Sequence, residues 1–177
     1  MRVISGICGG LPLKTLPGLD TRPTTDKVKG AIFSILQGNV AGSKVLDLFS
    51  GSGAMGIEAL SRGAKSAVFV DSSAKAVEII LKNLEFTKLS GKTLRLSAEK
   101  YLSSCTEKFD LIFMDPPYFS SHIPECIGII SEKNLLENGG IIVAESDAKE
   151  DIPDKIGEFS RIDQRIYGRV CLHFYGK

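Results

Sequence analysis

The sequence predicts an α/β fold, doubly wound about a mostly parallel sheet, with a C-terminal antiparallel hairpin and a small N-terminal extension. Three observations carry this. Short apolar runs such as Ala67-Val68-Phe69-Val70 and Leu111-Ile112-Phe113-Met114 show no polar alternation, as strands do when helices cover both faces of their sheet. Segments with helical spacing separate these runs, and strand–helix alternation at this interval is the pattern of a doubly wound sheet. A glycine-rich turn, Gly51-Ser52-Gly53-Ala54-Met55-Gly56, joins the first run to the helix after it.

Taken in order, residues 1–23 read as an N-terminal hairpin or arm, because Gly6, Gly9, Gly10, Pro12, Pro17 and Gly18 leave only short strand-like pieces. Residues 24–177 read as the main domain. A helix over 25–36 places Val28, Ile32, Ile35 and Leu36 on one face. Strands are expected over Lys44–Phe49, Ser66–Asp71, Lys92–Leu96, Phe109–Asp115 and Ile141–Glu145. The helix Ala54–Arg62 stops before Gly63, a residue suited to a left-handed cap. After Ser72 or Ser73 as N-cap, Ala74, Val77, Leu81 and Leu84 share a helical face. At the end, Ile162 and Ile166 alternate with charged residues, and Val170, Leu172 and Phe174 alternate again beyond Gly168-Arg169, which predicts a hairpin.

A length of 177 residues fits one domain, or one with a small appendage, and supports a sizeable core without disulfides or metal. Cys8, Cys105, Cys126 and Cys171 are scattered and the two histidines are not clustered, whereas zinc ligands come at short paired spacings. Reduced thiols in a cytoplasmic protein with no metal is the reading. No apolar stretch has the length of a membrane span. With 22 basic and 21 acidic residues the chain is nearly neutral, which argues against a broad nucleic-acid-binding surface. The distribution is uneven, however. Residues 1–44 hold six basic and two acidic side chains, and residues 45–150 hold eleven and fifteen. A basic arm on an acidic core implies few phosphate contacts, placed near the N-terminus.

Gly51, Gly53 and Gly56 satisfy G-x-G-x-x-G, and Asp71 ends the next strand twenty residues after Gly51. Such a loop brings backbone close to a ligand, and an acid after the second strand accepts hydrogen bonds from ribose hydroxyls. That fingerprint suits NAD and S-adenosylmethionine (SAM) alike. Asp47 separates them. It stands at the strand's carboxyl end, where a carboxylate repels a pyrophosphate but attracts a sulfonium and an ammonium.

The fourth buried run ends in Asp115-Pro116-Pro117-Tyr118, at the sheet edge where open α/β folds bind ligands. An exocyclic amine on a planar base is a poor nucleophile, since its lone pair is delocalised into the ring. Two acceptors, the Asp115 carboxylate and the Pro116 carbonyl, can hold its hydrogens so that the lone pair turns toward a methyl donor. Tyr118 offers a flat face for stacking, and the prolines fix the backbone.

On these residues the chain resembles the bacterial 16S ribosomal RNA guanine-N2 methyltransferases of the RsmD family, those named for guanine 966. The resemblance covers nearly the whole chain. It includes Asp47-Leu48-Phe49-Ser50-Gly51-Ser52-Gly53, Asp115-Pro116-Pro117-Tyr118, the opening Arg2-Val3-Ile4-Ser5-Gly6, the segment Arg22-Pro23-Thr24-Thr25-Asp26-Lys27-Val28-Lys29, and Tyr167-Gly168-Arg169 with Leu172 and Tyr175. It implies a seven-stranded, Rossmann-like SAM-dependent methyltransferase fold with an RNA-contacting N-terminal extension. The implied substrate is 16S ribosomal RNA in the small ribosomal subunit, and the implied state a monomer. Asp47, Phe49, Ser50, Gly51, Ser52, Gly53, Asp71, Ser72 and Ala98 carry over as SAM contacts. Asp115, Pro116 and Tyr118 carry over as the catalytic set, and Arg22, Thr24 and Thr25 as substrate contacts, though either threonine also suits a helix cap. The chain departs from the family pattern at Ser97, where an acid is common, at Gly30, where glutamate is usual, and at Tyr118, a frequent phenylalanine. Adenine-N6 methylation of DNA and NAD-dependent oxidoreduction are the competing functions.

Overall fold

A computed structural model describes residues 1–16 and 26–177. Among the described residues, eight strands form one sheet in the order β3-β2-β1-β4-β5-β8-β7-β6. The first five, β1 (Lys44–Leu48), β2 (Ser66–Asp71), β3 (Lys92–Arg95), β4 (Phe109–Met114) and β5 (Leu136–Asp147), are parallel to one another. β8 (Val170–Gly176) then runs antiparallel to β5, and β7 (Phe159–Tyr167) antiparallel to β8. The expected seven strands become eight because Lys155–Ile156, β6, folds back onto the start of β7 around Gly157, whose φ is +59°.

The period of two along each strand explains why the apolar runs lack polar alternation. In β1, Val45 packs into a cluster with Ile32, Phe33 and Leu36 of α1 (Asp26–Ile35) and the residue after it, Ile57 and Leu60 of α2 (Ala54–Ser61), and Ile80 and Leu84 of α3 (Ala74–Thr87). Its neighbours Leu46 and Leu48 point the other way, onto Tyr101 and Leu102 of α4 (Ala98–Ser104) and Ile123, Ile127 and Ile130 of α5 (His122–Glu132). Helices α1 to α3 therefore cover one face and α4 and α5 the other, and each β1 residue finds an apolar layer whichever way it points. The order of strands reverses between β1 and β4, so a crevice opens outside their carboxyl ends. No helix among the described residues is long and apolar enough to cross a membrane.

Several expected faces need correction. In α3 the buried residues are Ala76, Ile80, Asn83, Leu84 and Thr87, while Leu81 is exposed. The apolar pattern misleads because Asn83 is buried for its hydrogen bonds. Its amide donates to the carbonyls of Lys14 and Ser52, at 3.0 and 2.9 Å, and accepts from the Lys14 N–H at 2.9 Å. In α1, Ile35 faces solvent and Phe33 is fully buried instead, against Phe113 and the Arg62 guanidinium. The stripe turns that way because Lys29, one helical turn before Phe33, reaches the buried carboxylate of Glu58 at 3.2 Å. Strand β8 is buried on both faces rather than alternating. Its polar members are satisfied: Tyr175 donates to the Pro153 carbonyl, and the Arg161 guanidinium donates to His173 Nδ1 at 3.0 Å. That bond leaves the His173 proton on Nε2, which faces Ser146 Oγ at 2.9 Å. Burial, and then the Arg161 charge, push His173 down to about 4, so the imidazole is neutral.

The N-terminal segment packs against α2 and α3. Apart from one bridge between Arg2 and Pro12 it forms no regular structure over 1–16, yet Val3, Cys8 and Leu13 sit in the core. Glu58 takes the backbone N–H groups of Ile4 and Ser5 at 2.7 and 3.0 Å, and Ser61 Oγ accepts from the Cys8 N–H at 3.0 Å. Gly30 lies in α1, where a Cβ would make only an ordinary contact, 3.6 Å from Ile4 Cδ1. The glycine is thus a weak helix position rather than a required close approach. Gly30→Ala is expected to raise stability by about 0.5–1 kcal/mol, read as an increased denaturant midpoint at unchanged slope. A loss of stability would mean that Ile4 cannot adjust.

Candidate active site

The loop after β1 is held in shape before any ligand enters. Phe49, Gly51 and Gly53 all have left-handed backbones, φ +55°, +54° and +75°. Ser50 pins the loop to β2, its hydroxyl donating to the Asp47 carbonyl at 2.5 Å and accepting from the Val70 N–H at 3.0 Å. Gly56 must be glycine for a steric reason, since a Cβ there would lie 2.3 Å from the Phe69 ring. The Phe69 ring lies against the loop and sets how deep it can sit.

Two acids close the loop from the strand ends. Asp71 accepts from the N–H groups of Gly51 and Ser73 at 2.9 and 2.8 Å, one through each carboxylate oxygen. Asp47 is 3% exposed and accepts from the Gly56 N–H at 2.9 Å. Burial pushes its carboxyl up to about 8, with the Gly56 bond opposing and the charges of Asp71 and Asp115 adding. A buried carboxylate so costly to ionise is a site that favours a cation.

Across the crevice, β4 ends at Met114 and hands the chain to Asp115, Pro116, Pro117 and Tyr118. Pro116 is buried and Asp115 half-buried. The Tyr118 hydroxyl donates to Glu145 Oε1 at 2.9 Å. Ser120 Oγ closes the turn on the Pro117 carbonyl at 2.6 Å, and Phe119 between them stands exposed at φ +57°.

A cleft of about 300 Å³ gathers much of this. Asp47, Phe49, Ser50, Gly51, Ser52, Asp71, Ser72 and Asp115 all border it. Gly53 caps the start of α2 beneath the loop, and Ala98 is buried at the start of α4, where Ser97 is the N-cap through the Lys100 N–H. Neither lines the cleft; nor do Pro116 and Tyr118, the neighbours in sequence of Asp115 and Pro117, which do. Arg22, Thr24 and Thr25 lie outside the described residues. A second, smaller pocket of about 40 Å³ adjoins the cleft and shares Asp47, Met55 and Asp115 with it. Phe113, Val143 and Leu172 line it, with Glu145 beside them.

Among the residues that sequence reasoning missed, four stand out. Thr15 and Leu16 border the cleft, and only the docking of the N-terminal segment brings them there. Lys29 borders it although it is 1% exposed; its partner Glu58 is 29 residues away, so no local pattern announces it. Glu145 had a signal, since it is an acid ending the expected strand Ile141–Glu145, as Asp115 ends its own. Beside Phe49, His122 packs on its ring and bonds Glu99 through Nδ1 at 2.7 Å, tying α4 to α5.

Comparison with known proteins shows what the chain is similar to. A family model described as conserved hypothetical protein 95 matches residues 1–176. The putative rRNA methyltransferase YlbH of Bacillus subtilis is 41% identical over 183 residues, covering 100% of this chain and 99% of the relative. The ribosomal RNA small subunit methyltransferase D of Escherichia coli is 30% identical over 178 residues, covering 99% and 89%. Among solved structures, the putative methyltransferase yhhF from Escherichia coli superposes with a TM-score of 0.87 at 30% identity, covering 99% of this chain and 96% of that one.

Proposed function

The chain belongs to the conserved hypothetical protein 95 family, the RsmD family of ribosomal RNA methyltransferases, and from that premise we propose that it methylates the exocyclic N2 amine of a guanine in 16S ribosomal RNA. It is a SAM-dependent rRNA methyltransferase. The finer assignment, N2 of guanine, rests on Asp115 and Pro117 of the Asp115-Pro116-Pro117-Tyr118 motif bordering one cleft with the buried Asp47.

The cleft fits SAM on the chemistry of its donors. The high affinity of the Asp47 carboxyl for a proton marks a place where a sulfonium and an ammonium stabilise the carboxylate they face. Asp71 keeps lone pairs beyond its two backbone bonds for ribose hydroxyls. A doubly anionic pyrophosphate at the same place would meet Asp47, which disfavours NAD. When bound, SAM supplies an electrophilic methyl group whose C–S bond breaks as the N–C bond forms.

The chain's own residues prepare the nucleophile. The Asp115 carboxylate and Pro116 carbonyl accept the two amine hydrogens and turn the nitrogen lone pair out of conjugation toward the methyl. As positive charge develops on the nitrogen, these fixed acceptors stabilise it without reorganising. The proton then leaves the methylated nitrogen to Asp115 or to water. Tyr118, held by Glu145, stacks on the base. The basic excess of residues 1–44 supports RNA contact through the N-terminal segment, with Arg22, Thr24 and Thr25 as candidate substrate contacts. Action on the small subunit, as a cytoplasmic monomer, completes the reading.

Calorimetry and label transfer together test it. SAM is expected to bind and NAD not, and labelled methyl is expected to pass from SAM to the RNA of undermethylated small subunits. Binding of NAD without SAM, or label found only in protein, overturns the proposal.

A further inference from the structure

Glu145 occupies a position that the glycine loop and the Asp115 motif do not account for. It is a carboxylate only 5% exposed, on β5, the parallel strand next to β4. The register pairs Phe113 with Val143 and Met114 with Ala144. One step further along the two strands, Asp115 and Glu145 stand side by side at the carboxyl edge of the sheet. Both line the 40 Å³ pocket, whose lining includes Phe113, Val143 and Leu172. That pocket has room for the edge of a base but not for its rings. The Tyr118 phenol, bonded to Glu145 Oε1, fixes the carboxylate in orientation and ties it to the ring expected to stack on the base.

Two neighbouring carboxylates suit an edge with two neighbouring donors. Guanine has one: its N2 amine adjoins the N1–H. Adenine does not, because its N6 amine adjoins an N1 that carries a lone pair and no hydrogen. We propose that Glu145 selects guanine, accepting the N1–H while Asp115 accepts from the N2 amine. This rests on the guanine-N2 reading above and adds to it the residue that rejects adenine. Against adenine the same carboxylate meets the N1 lone pair instead of a donor, and a site built for a hydrogen bond penalises that mismatch heavily. The row Asp47, Asp115 and Glu145 around one pocket then divides the work across three strands. Asp47 meets the cofactor's positive charge, Asp115 the amine, and Glu145 the identity of the base.

The test uses 2,6-diaminopurine, which keeps the N2 amine but has a lone pair at N1. Small subunits are assembled with RNA carrying this base where the wild-type protein methylates guanine. The wild type is expected to methylate guanine at least about 30-fold faster in kcat/KM. Glu145→Gln keeps an acceptor for the Tyr118 hydroxyl and gains an N–H for N1, so it is expected to lose guanine activity and to level or reverse the preference. Equal wild-type rates on both bases overturn the proposal. So does a Glu145→Gln variant that slows both in proportion, the result of a role in anchoring Tyr118 alone. Should that variant not fold, the wild-type comparison decides, and a preference under about threefold overturns the proposal. If the wild type leaves guanine N2 unmethylated in normal subunits, the function assigned above fails instead, and the two failures are distinct.

Discussion

Asp115→Ala is expected to lower methyl transfer by about a thousandfold or more while SAM affinity stays within a few-fold. Removing a single preorganised polar partner of a developing charge costs about 10²–10³ in kcat. Here the same group also turns the amine lone pair toward the methyl, so the loss falls at the upper end or beyond. The cofactor is held by the loop after β1 and by Asp71, both independent of Asp115, which is why binding survives. Asp115→Asn keeps one carbonyl acceptor and is expected to retain more activity than the alanine variant. A secondary consequence follows from electrostatics. The Asp115 charge helps to push Asp47 up, so the alanine variant lets Asp47 ionise at lower pH and binds SAM slightly more tightly near neutrality. Single-turnover rates beside equilibrium binding check both statements. A thousandfold loss of SAM affinity with unchanged chemistry would place Asp115 in the cofactor site instead.

The second large effect is a pH dependence of SAM binding that disappears in Asp47→Asn. In the ligand-free protein Asp47 sits at about 8, so below that pH it holds a proton that a cationic ligand must displace. Affinity is expected to rise about tenfold per pH unit from 6 toward 8, with proton release on binding, and to level off above. Asp47→Asn cannot ionise. It is expected to bind SAM about 100-fold more weakly than the wild type above pH 8, with little pH dependence. Stability moves oppositely. The folded protein holds the Asp47 proton more tightly than the unfolded chain, whose value is 3.8, so ionising this group destabilises the fold progressively as pH rises from about 4 to about 8. The penalty is absent below the unfolded value and complete above the folded one. Above pH 8 the ligand-free Asp47→Asn protein is therefore expected to melt at a higher temperature than the wild type. Calorimetry in buffers of different ionisation enthalpy counts the released proton directly.

The β1–β4 crevice was legible because its signals are local. A buried strand followed by glycines, an acid at the strand end, and Asp115-Pro116-Pro117-Tyr118 each lie within a few residues. The first four strands were legible for the same reason, with ends differing by one residue where Phe49, Leu96 and Asp115 leave the sheet, whereas β5 begins five residues before and ends two residues after the expected Ile141–Glu145. The buried face of α3 was not legible, because Asn83 and Thr87 are buried to satisfy polar groups of Lys14, Ser52 and their own helix. Hydropathy counts such residues as outward. The same limit hid Lys29, whose burial depends on a carboxylate in another helix, and hid the anchoring of Ile4 and Ser5 on Glu58. Glu145 falls between these cases. Its place at a strand end is local, but its meaning comes from standing beside Asp115, which only the β4–β5 register supplies.

The central claim is that Asp115 and its neighbours present the N2 amine of guanine to a methyl donor held by Asp47 and Asp71. Undermethylated small subunits incubated with the protein and labelled SAM, then digested to nucleosides and separated by mass, test it most directly. The expected result is label in N2-methylguanosine, lost with Asp115→Ala. Label in N6-methyladenosine, or in any guanosine methylated elsewhere than at N2, would contradict it.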